Sequence, residues 1–306
     1  MQENKIRARV EGPDAEGLRA DRYISDYLQL CPRSQIKNRG VTVFINGQEA
    51  KLSKLVHTGD LIEIHYTPEK EFTLEPENIP LDIIYENSRC VVLDKPRGMV
   101  VHPAAGNYTG TLVHALSAHI PGLQDNFPEE PVRPGIVHRL DKDTSGILVA
   151  AKDPEALEFL SRQFAKKTIK KQYLALVKGV VRRAEGNVQH PIARDPRHRK
   201  RFTWKSSAGK PAYTEYHVIR CFSKASFVLL TPSTGRTHQL RVHMLSLGHP
   251  IIGDPLYGRT GGEYSNCSLM LHAYKLKIRL PGEEMAQVFR AHLPAHFKEQ
   301  LKKIAP

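Results

Sequence analysis

Residues 135–152 read GIVHRLDKDTSGILVAAK, with apolar flanks around a polar centre, His138-Arg139-Leu140-Asp141-Lys142-Asp143-Thr144-Ser145-Gly146. Short Asp, Thr and Ser side chains followed by glycine favour a tight loop. Between two packed apolar elements such a loop holds a carboxylate at a fixed position on a rigid scaffold. Three chemistries compete for it. A calcium loop needs a bidentate Glu at its twelfth position, and Lys152 stands there. A phosphatase with an Asp141/Asp143 pair needs magnesium, which His138 and Arg139 disfavour by their charge. A metal-free nucleophilic or acid–base Asp141, kept ionised by nearby cations, is the third. An ordinary turn with capping side chains is the alternative to all three.

Residues 231–258, TPSTGRTHQLRVHMLSLGHPIIGDPLYG, carry the next cluster. Arg236 and Arg241 are five apart, a spacing that points them in different directions on a strand or a helix. One is expected beside Asp141 and the other on a phosphate. His238, His243 and His249 match no common zinc spacing, so hydrogen-bonded histidines are expected rather than a metal.

The 306 residues hold 45 Lys and Arg against 32 Asp and Glu, a formal charge of +13, which calls for a polyanionic partner. The cations concentrate in RDPRHRKRFTWK (194–205), where Arg194, Arg197, Arg199, Lys200 and Arg201 lie beside Phe202 and the single Trp204. Cations interleaved with aromatics suit a surface that tracks phosphates and stacks bases. No apolar run approaches the roughly 20 residues of a membrane span, and the first residues lack the apolar stretch of a signal peptide. Four scattered cysteines form no CxxC pair, which fits a reducing, cytoplasmic setting. GxGxxG, GxxxxGK[ST], HExxH and GxSxG are all missing, so nucleotide-cofactor, ATP-driven, zinc-protease and serine-hydrolase readings lose support.

The chain reads as two domains, 1–66 and 81–306, with a Pro- and Glu-rich linker at 67–80. In the first, Ala20, Tyr23, Ile24, Tyr27 and Leu28 fall on one helical face. Val41–Ile45 and Leu61–Tyr66 read as strands, with a hairpin turn at Asn46-Gly47. Arg33, Lys37 and Arg39 form a short basic stretch. In the second, residues 83–93 read as a hairpin and Gln172–Lys178 as a strand. Asp153-Pro154 opens a helix, and residues 293–303 could form a closing one.

HRLDKDTSG (138–146) resembles the signature of the RluA-type RNA pseudouridine synthases. The likeness continues through VVLDKPRGMVVHP (91–103), GTLVHAL (110–116), KKQYLALVKG (170–179) and TGRTHQLRVHM…GHPIIGDPLYG (234–258), in the family's order. Residues 17–67 resemble the small RNA-binding domain of the S-four type, carried by Arg33–Lys37 and Val43–Gly47. The resemblance implies an α+β protein whose catalytic domain is a mixed, largely antiparallel sheet. It implies conversion of uridine to pseudouridine in RNA with no cofactor and no metal. The target would be large-subunit ribosomal RNA, with transfer RNA the other candidate and no membrane partner, and the protein would be a monomer. The family's aspartate maps to Asp141, its tyrosine to Tyr173 and its arginine to Arg236, paired with Asp141. His138 and Arg139 would hold the RNA backbone or prop the flipped strand. A non-catalytic RNA-binding or ribosome-assembly factor is the alternative, though it would not need all of these residues.

Overall fold

The computed structural model describes residues 4–31, 33, 36, 40–66, 74–104, 106–258, 264 and 266–305. The chain divides into two compact units, Met1–Phe72 and Thr73–Pro306.

In the first unit four strands pair in the order β1 (Asn4–Arg9), β4 (Leu61–Tyr66), β2 (Thr42–Ile45), β3 (Gln48–Ala50). Asn46 and Gly47 both take positive φ, 52° and 80°. A two-residue hairpin of right-handed twist requires this at both positions. The expected helix is short. One turn, α1 (Ala20–Arg22), runs into a wide π turn over Tyr23–Tyr27. Ala20, Tyr23 and Ile24 are buried as the periodicity requires, with Val43, Ile62 and Ile64. Tyr27 is 45% exposed, its hydroxyl donating to Glu11 O.

The second unit is built on one nine-stranded sheet. Eight strands run β5 (Asp82–Glu86), β6 (Cys90–Lys95), β7 (Ser145–Ala151), β14 (Leu271–Arg279), β8 (Lys170–Lys178), β13 (Ala225–Pro232), β12 (Thr214–Cys221), β9 (Glu185–Val188). The ninth, β15 (Ala286–Arg290), pairs with β14. The β7–β14 pairing is parallel and the others are antiparallel, so the sheet is mixed and largely antiparallel. All seven residues of β7 are buried, which explains the apolar run that follows Ser145. Helices α2 (Leu112–His119), α3 (Pro154–Ala165), α4 (Gln239–Ser246) and α5 (Ala295–Ile304) complete the unit. The Asp153 carboxylate caps α3 by accepting Ala156 N–H and is itself held by Arg89. Leu93, Leu112, Leu148 and Leu160 belong to one buried cluster, and Leu176, Leu230, Met244 and Phe297 to a second. Tyr173 packs against both.

The basic segment forms a small hairpin, β10 (Ala193–Arg194) with β11 (Phe202–Thr203).

The expected linker needs correcting over its second half. Leu74 is buried, its carbonyl accepts from Gln124 Nε2, and Glu77 accepts Gly110 N–H. An apolar side chain and a satisfied carboxylate thus anchor residues 74–80 to the second unit; residues 67–73 lie outside the described part.

Candidate active site

Asp141 sits in the turn that leads into β7, and three features fix that turn. Gly146 pairs with Ala273 where β7 runs parallel to β14, so close that a Cβ would stand 2.3 Å from Ala273 O. Ser145 Oγ meets His272 Nδ1 at 2.9 Å one residue earlier. Lys95, fully buried at the end of β6, donates to Pro96 O (2.7 Å), Met99 O (2.9 Å) and Lys142 O (3.2 Å). Burial pulls its ammonium down to about 8, while the nearby Asp143, Asp141 and Asp94 favour its charge.

A second turn, Thr234–His238, leads into α4. Gln239 cross-braces it. Its Oε1 accepts from Thr234 Oγ1 and Arg236 N–H, and its Nε2 donates to Tyr213 O and Thr214 Oγ1. The segment 253–257 lies against α4. Gly253 has a φ of 72°, and a Cβ there would stand 1.9 Å from Ser268 O. Only glycine fits such a position.

The Asp141 side chain is 21% exposed. Arg241 Nη1 donates to its Oδ2 at 2.9 Å. The same guanidinium grips fully buried Asp254 with two bonds, Nε to Oδ2 at 2.7 Å and Nη2 to Oδ1 at 2.8 Å. Asp254 Oδ1 also accepts Leu256 N–H and Tyr257 N–H. A planar five-donor fork can bridge two carboxylates in this way. These contacts hold Arg241 protonated, its affinity for the proton raised. His238 Nε2 stands 3.7 Å from the same Asp141 oxygen.

Here the expected pairing of Asp141 with Arg236 is corrected. Arg236 is exposed, with its Nε 3.3 Å from Pro211 O. The turn breaks regular structure between the two arginines, so neither a helical nor a strand spacing applied. Arg241 is carried inward on α4 and Arg236 stays at the rim.

A pocket of about 450 Å³ opens beside Asp141, lined also by Arg139, Leu140, Lys171, Tyr173 and Arg236. That volume falls in the range of small-molecule sites, roughly 300–1,000 Å³. Tyr173 projects from β8, and burial pushes its phenol up, keeping it neutral. Lys171, two residues earlier on β8, donates to Thr234 O at 3.3 Å, and burial pulls its ammonium down to about 8. Asp143 is not among the lining residues.

His138 also lines the pocket but does not act as a cation. Its Nε2 accepts Val149 N–H at 3.1 Å, its ring stacks on Phe164 at 4.5 Å, and burial holds it down to about 3. The expected role on the RNA backbone is therefore corrected to a neutral prop beneath the loop. Arg139 is exposed at the rim. His243 Nε2 donates to His190 O and His249 Nδ1 to Lys178 O, and His243 Nδ1 meets Thr214 Oγ1 at 2.9 Å.

In the basic hairpin, Arg197, Arg199 and Lys200 are exposed and Arg201 half-buried. Its aromatics are not a free stacking surface, another correction. Phe202 and Trp204 pack on Ile192, Val242 and Tyr257, because their apolar area is better buried than left to solvent. Arg194 lies over the Phe202 ring and Arg201 over that of Tyr257. In the first unit Arg33 pairs with Asp21 at 2.9 Å while keeping a half-exposed side chain. Lys37 and Arg39 lie outside the described residues.

Residues 89–246 match the model of the family described as RNA pseudouridylate synthase. The chain belongs to the RNA pseudouridylate synthase family. Ribosomal large subunit pseudouridine synthase D of Borreliella burgdorferi is 45% identical over 286 residues, covering 92% of this chain and 87% of that protein. The protein of the same name from Nitrosomonas europaea is 38% identical over 314 residues, covering 99% and 89%. Among solved structures, human RNA pseudouridylate synthase domain containing 1 superposes with a TM-score of 0.59 at 29% identity, covering 71% of this chain and 85% of that one. Membership makes the chain an isomerase that acts on RNA, and the non-catalytic alternative is set aside. Among the described residues, no helix is long and apolar enough to cross a membrane.

Arg241, His238, Asp254, Tyr257 and Lys171 were not assigned from sequence. All five lie in the stretches quoted above, Lys171 in KKQYLALVKG, His238 and Arg241 in TGRTHQLRVHM, and Asp254 and Tyr257 in GDPLYG. Nothing in linear spacing tied that segment to Asp141.

Proposed function

We propose that this pseudouridine synthase isomerises uridines of large-subunit ribosomal RNA, with Asp141 as the catalytic carboxylate. The observation that carries the site assignment is the Arg241 bond to Asp141 Oδ2 within the pocket that Tyr173 lines. The ribosomal target rests on the names of the relatives from Borreliella burgdorferi and Nitrosomonas europaea. The target uridine must leave its stack to enter a pocket of this size. In the reaction the N1–C1′ bond breaks with its electron pair passing to uracil. The uracil turns, C5 bonds to C1′, and the C5 proton is lost. Asp141 serves the sugar, by attack on it or by assisting its deprotonation, and both uses need a carboxylate held in one place. Tyr173 packs against the extruded base. Arg236 and Arg139 at the rim, with the exposed cations of the β10–β11 hairpin, take phosphates. No metal or nucleotide cofactor enters this chemistry. Residues 1–66 act as an S-four-like RNA-binding domain through Arg33, Lys37 and Arg39.

The test is RNA labelled with tritium at uridine C5, where formation of the new C–C bond expels the label. Asp141→Asn should abolish release, by about 10³-fold or more, since a residue needed in the bond-making step has no substitute. RNA binding should persist, because it is spread over many contacts. Near-normal release by Asp141→Asn would refute the assignment, and Asp143→Asn should stay close to wild type.

A further inference from the structure

His238 has no role in the scheme above, yet its placement is unusual. It precedes α4 in the left-handed region, with φ 56° and ψ 15°. Non-glycine residues are uncommon there. In this pose its ring is enclosed by three partners. Nδ1 is 2.8 Å from Tyr257 Oη, Nε2 is 3.7 Å from Asp141 Oδ2, and the Phe202 ring meets it edge-on at 5.3 Å. Tyr257 Oη in turn accepts the Phe202 backbone N–H at 2.7 Å.

These contacts select one protonation form. With Phe202 N–H already pointing at the tyrosine oxygen, the tyrosine proton is free to be given to His238 Nδ1. The imidazole proton then sits on Nε2, facing a carboxylate oxygen. The opposite tautomer would leave the tyrosine proton without that acceptor and turn a nitrogen lone pair toward the Asp141 charge. The doubly protonated ring is disfavoured by burial and by Arg241 and Arg139, against the pull of Asp141 and Asp254, and the net effect lowers the imidazole's proton affinity.

We propose that His238 is a positioning residue whose Nε2–H faces Asp141 Oδ2, in a tautomer dictated by Tyr257 and the Phe202 amide of the basic hairpin. Arg241 and His238 then hold Oδ2 from two sides. Oδ1 accepts no hydrogen bond among the described residues, and it becomes the oxygen that works on the sugar. The 3.7 Å separation shortens to a hydrogen bond once substrate excludes water, as such contacts do on complex formation. Asp254 locks the two supports together, since it grips Arg241 and fixes the Tyr257 backbone. The basic hairpin is thereby part of the catalytic support as well as an RNA contact. The inference rests on the assignment of Asp141 proposed above.

The experiment uses the full chain with ¹⁵N-labelled histidine, and the His238 signals are assigned by their loss in His238→Asn. Wild type should show the Nε2–H tautomer, and Tyr257→Phe should lose that single form. In single-turnover tritium release at saturating RNA, Tyr257→Phe and His238→Asn should each slow the rate constant. The loss should be about 10- to 150-fold, the range spanned by a hydrogen bond to a charged group. RNA affinity should stay within about twofold, because neither residue contributes a phosphate-binding charge. Melting curves establish that each variant is folded, and the wild-type tautomer decides the matter if one is not. Wild-type His238 protonated on Nδ1, or a full rate in either folded variant, overturns the proposal. Asp141→Asn measured alongside separates the causes: tritium release by that variant would instead overturn the underlying assignment.

Discussion

Arg241→Lys isolates the contact that distinguishes the two arginines. Arg241 makes three charge-assisted hydrogen bonds, two to Asp254 at 2.7 and 2.8 Å and one to Asp141 at 2.9 Å. A lysine ammonium carries the same charge but cannot reproduce the fork that spans both carboxylates. Asp254 is the fully buried partner and suffers more if left unpaired, so the ammonium should stay with it and give up Asp141. A lost hydrogen bond to a charged group is worth roughly 1.5–3 kcal/mol, which in a rate is about 10- to 150-fold. Arg241→Met removes all three bonds and leaves the buried Asp254 carboxylate without a charge partner, which should destabilise the fold by about 3–5 kcal/mol. Arg236→Lys changes only a rim cation and should slow the reaction by less than about threefold. The assay is single-turnover tritium release with RNA labelled at uridine C5, beside urea unfolding of each variant. If Arg241→Lys kept its rate within threefold while Arg236→Lys lost more than tenfold, Arg236 would be the working partner of Asp141 and the reasoning would fail.

Replacing Arg194, Arg197, Arg199, Lys200 and Arg201 together with glutamine should flatten the fall of log affinity with log salt, by about 0.7–0.9 for each phosphate no longer neutralised; an unchanged slope would make the hairpin a solvated face. A chain starting at Thr73 should fold and modify a short RNA, with weaker selectivity for a long structured one, because two tethered surfaces gain effective concentration. Starting at Leu81 instead discards buried Leu74 and the Glu77 hydrogen bonds, and should lower the melting temperature by roughly 5 °C. Burial holds His138 and His272 neutral, down to about 3 and about 4. Below about pH 6.5 the unfolded chain takes up their protons while the folded chain does not, so stability is complete above that pH. It should fall toward pH 4 by about 1.4 kcal/mol per pH unit for each group. Urea midpoints between pH 7 and 4.5 measure this, and His272→Asn should reduce the slope by about 1.4 kcal/mol per pH unit.

Local signals settled much of the architecture. The paired positive φ angles of Asn46-Gly47, the Asp153 cap before Pro154 and the apolar run of β7 from Gly146 each depend on neighbours in sequence. The stretch from His138 to Gly146 pointed to Asp141, and the family resemblance carried by KKQYLALVKG pointed to Tyr173, which lines the same pocket. What linear order could not express is which distant group each charge meets. Spacing alone left Arg236 and Arg241 open, and the resemblance pointed to Arg236. Only the turn braced by Gln239 puts one at the rim and carries the other onto α4, between carboxylates 100 and 13 residues away. His138 has the composition of a phosphate ligand and the environment of a core histidine, because Phe164 and the β7 backbone close over it. Phe202 likewise packs, half-buried, on a cluster that its position among cations did not announce. Protonation state and pairing follow from desolvation and distance, and both are properties of the packed sheet and its crossing turns rather than of any segment read alone.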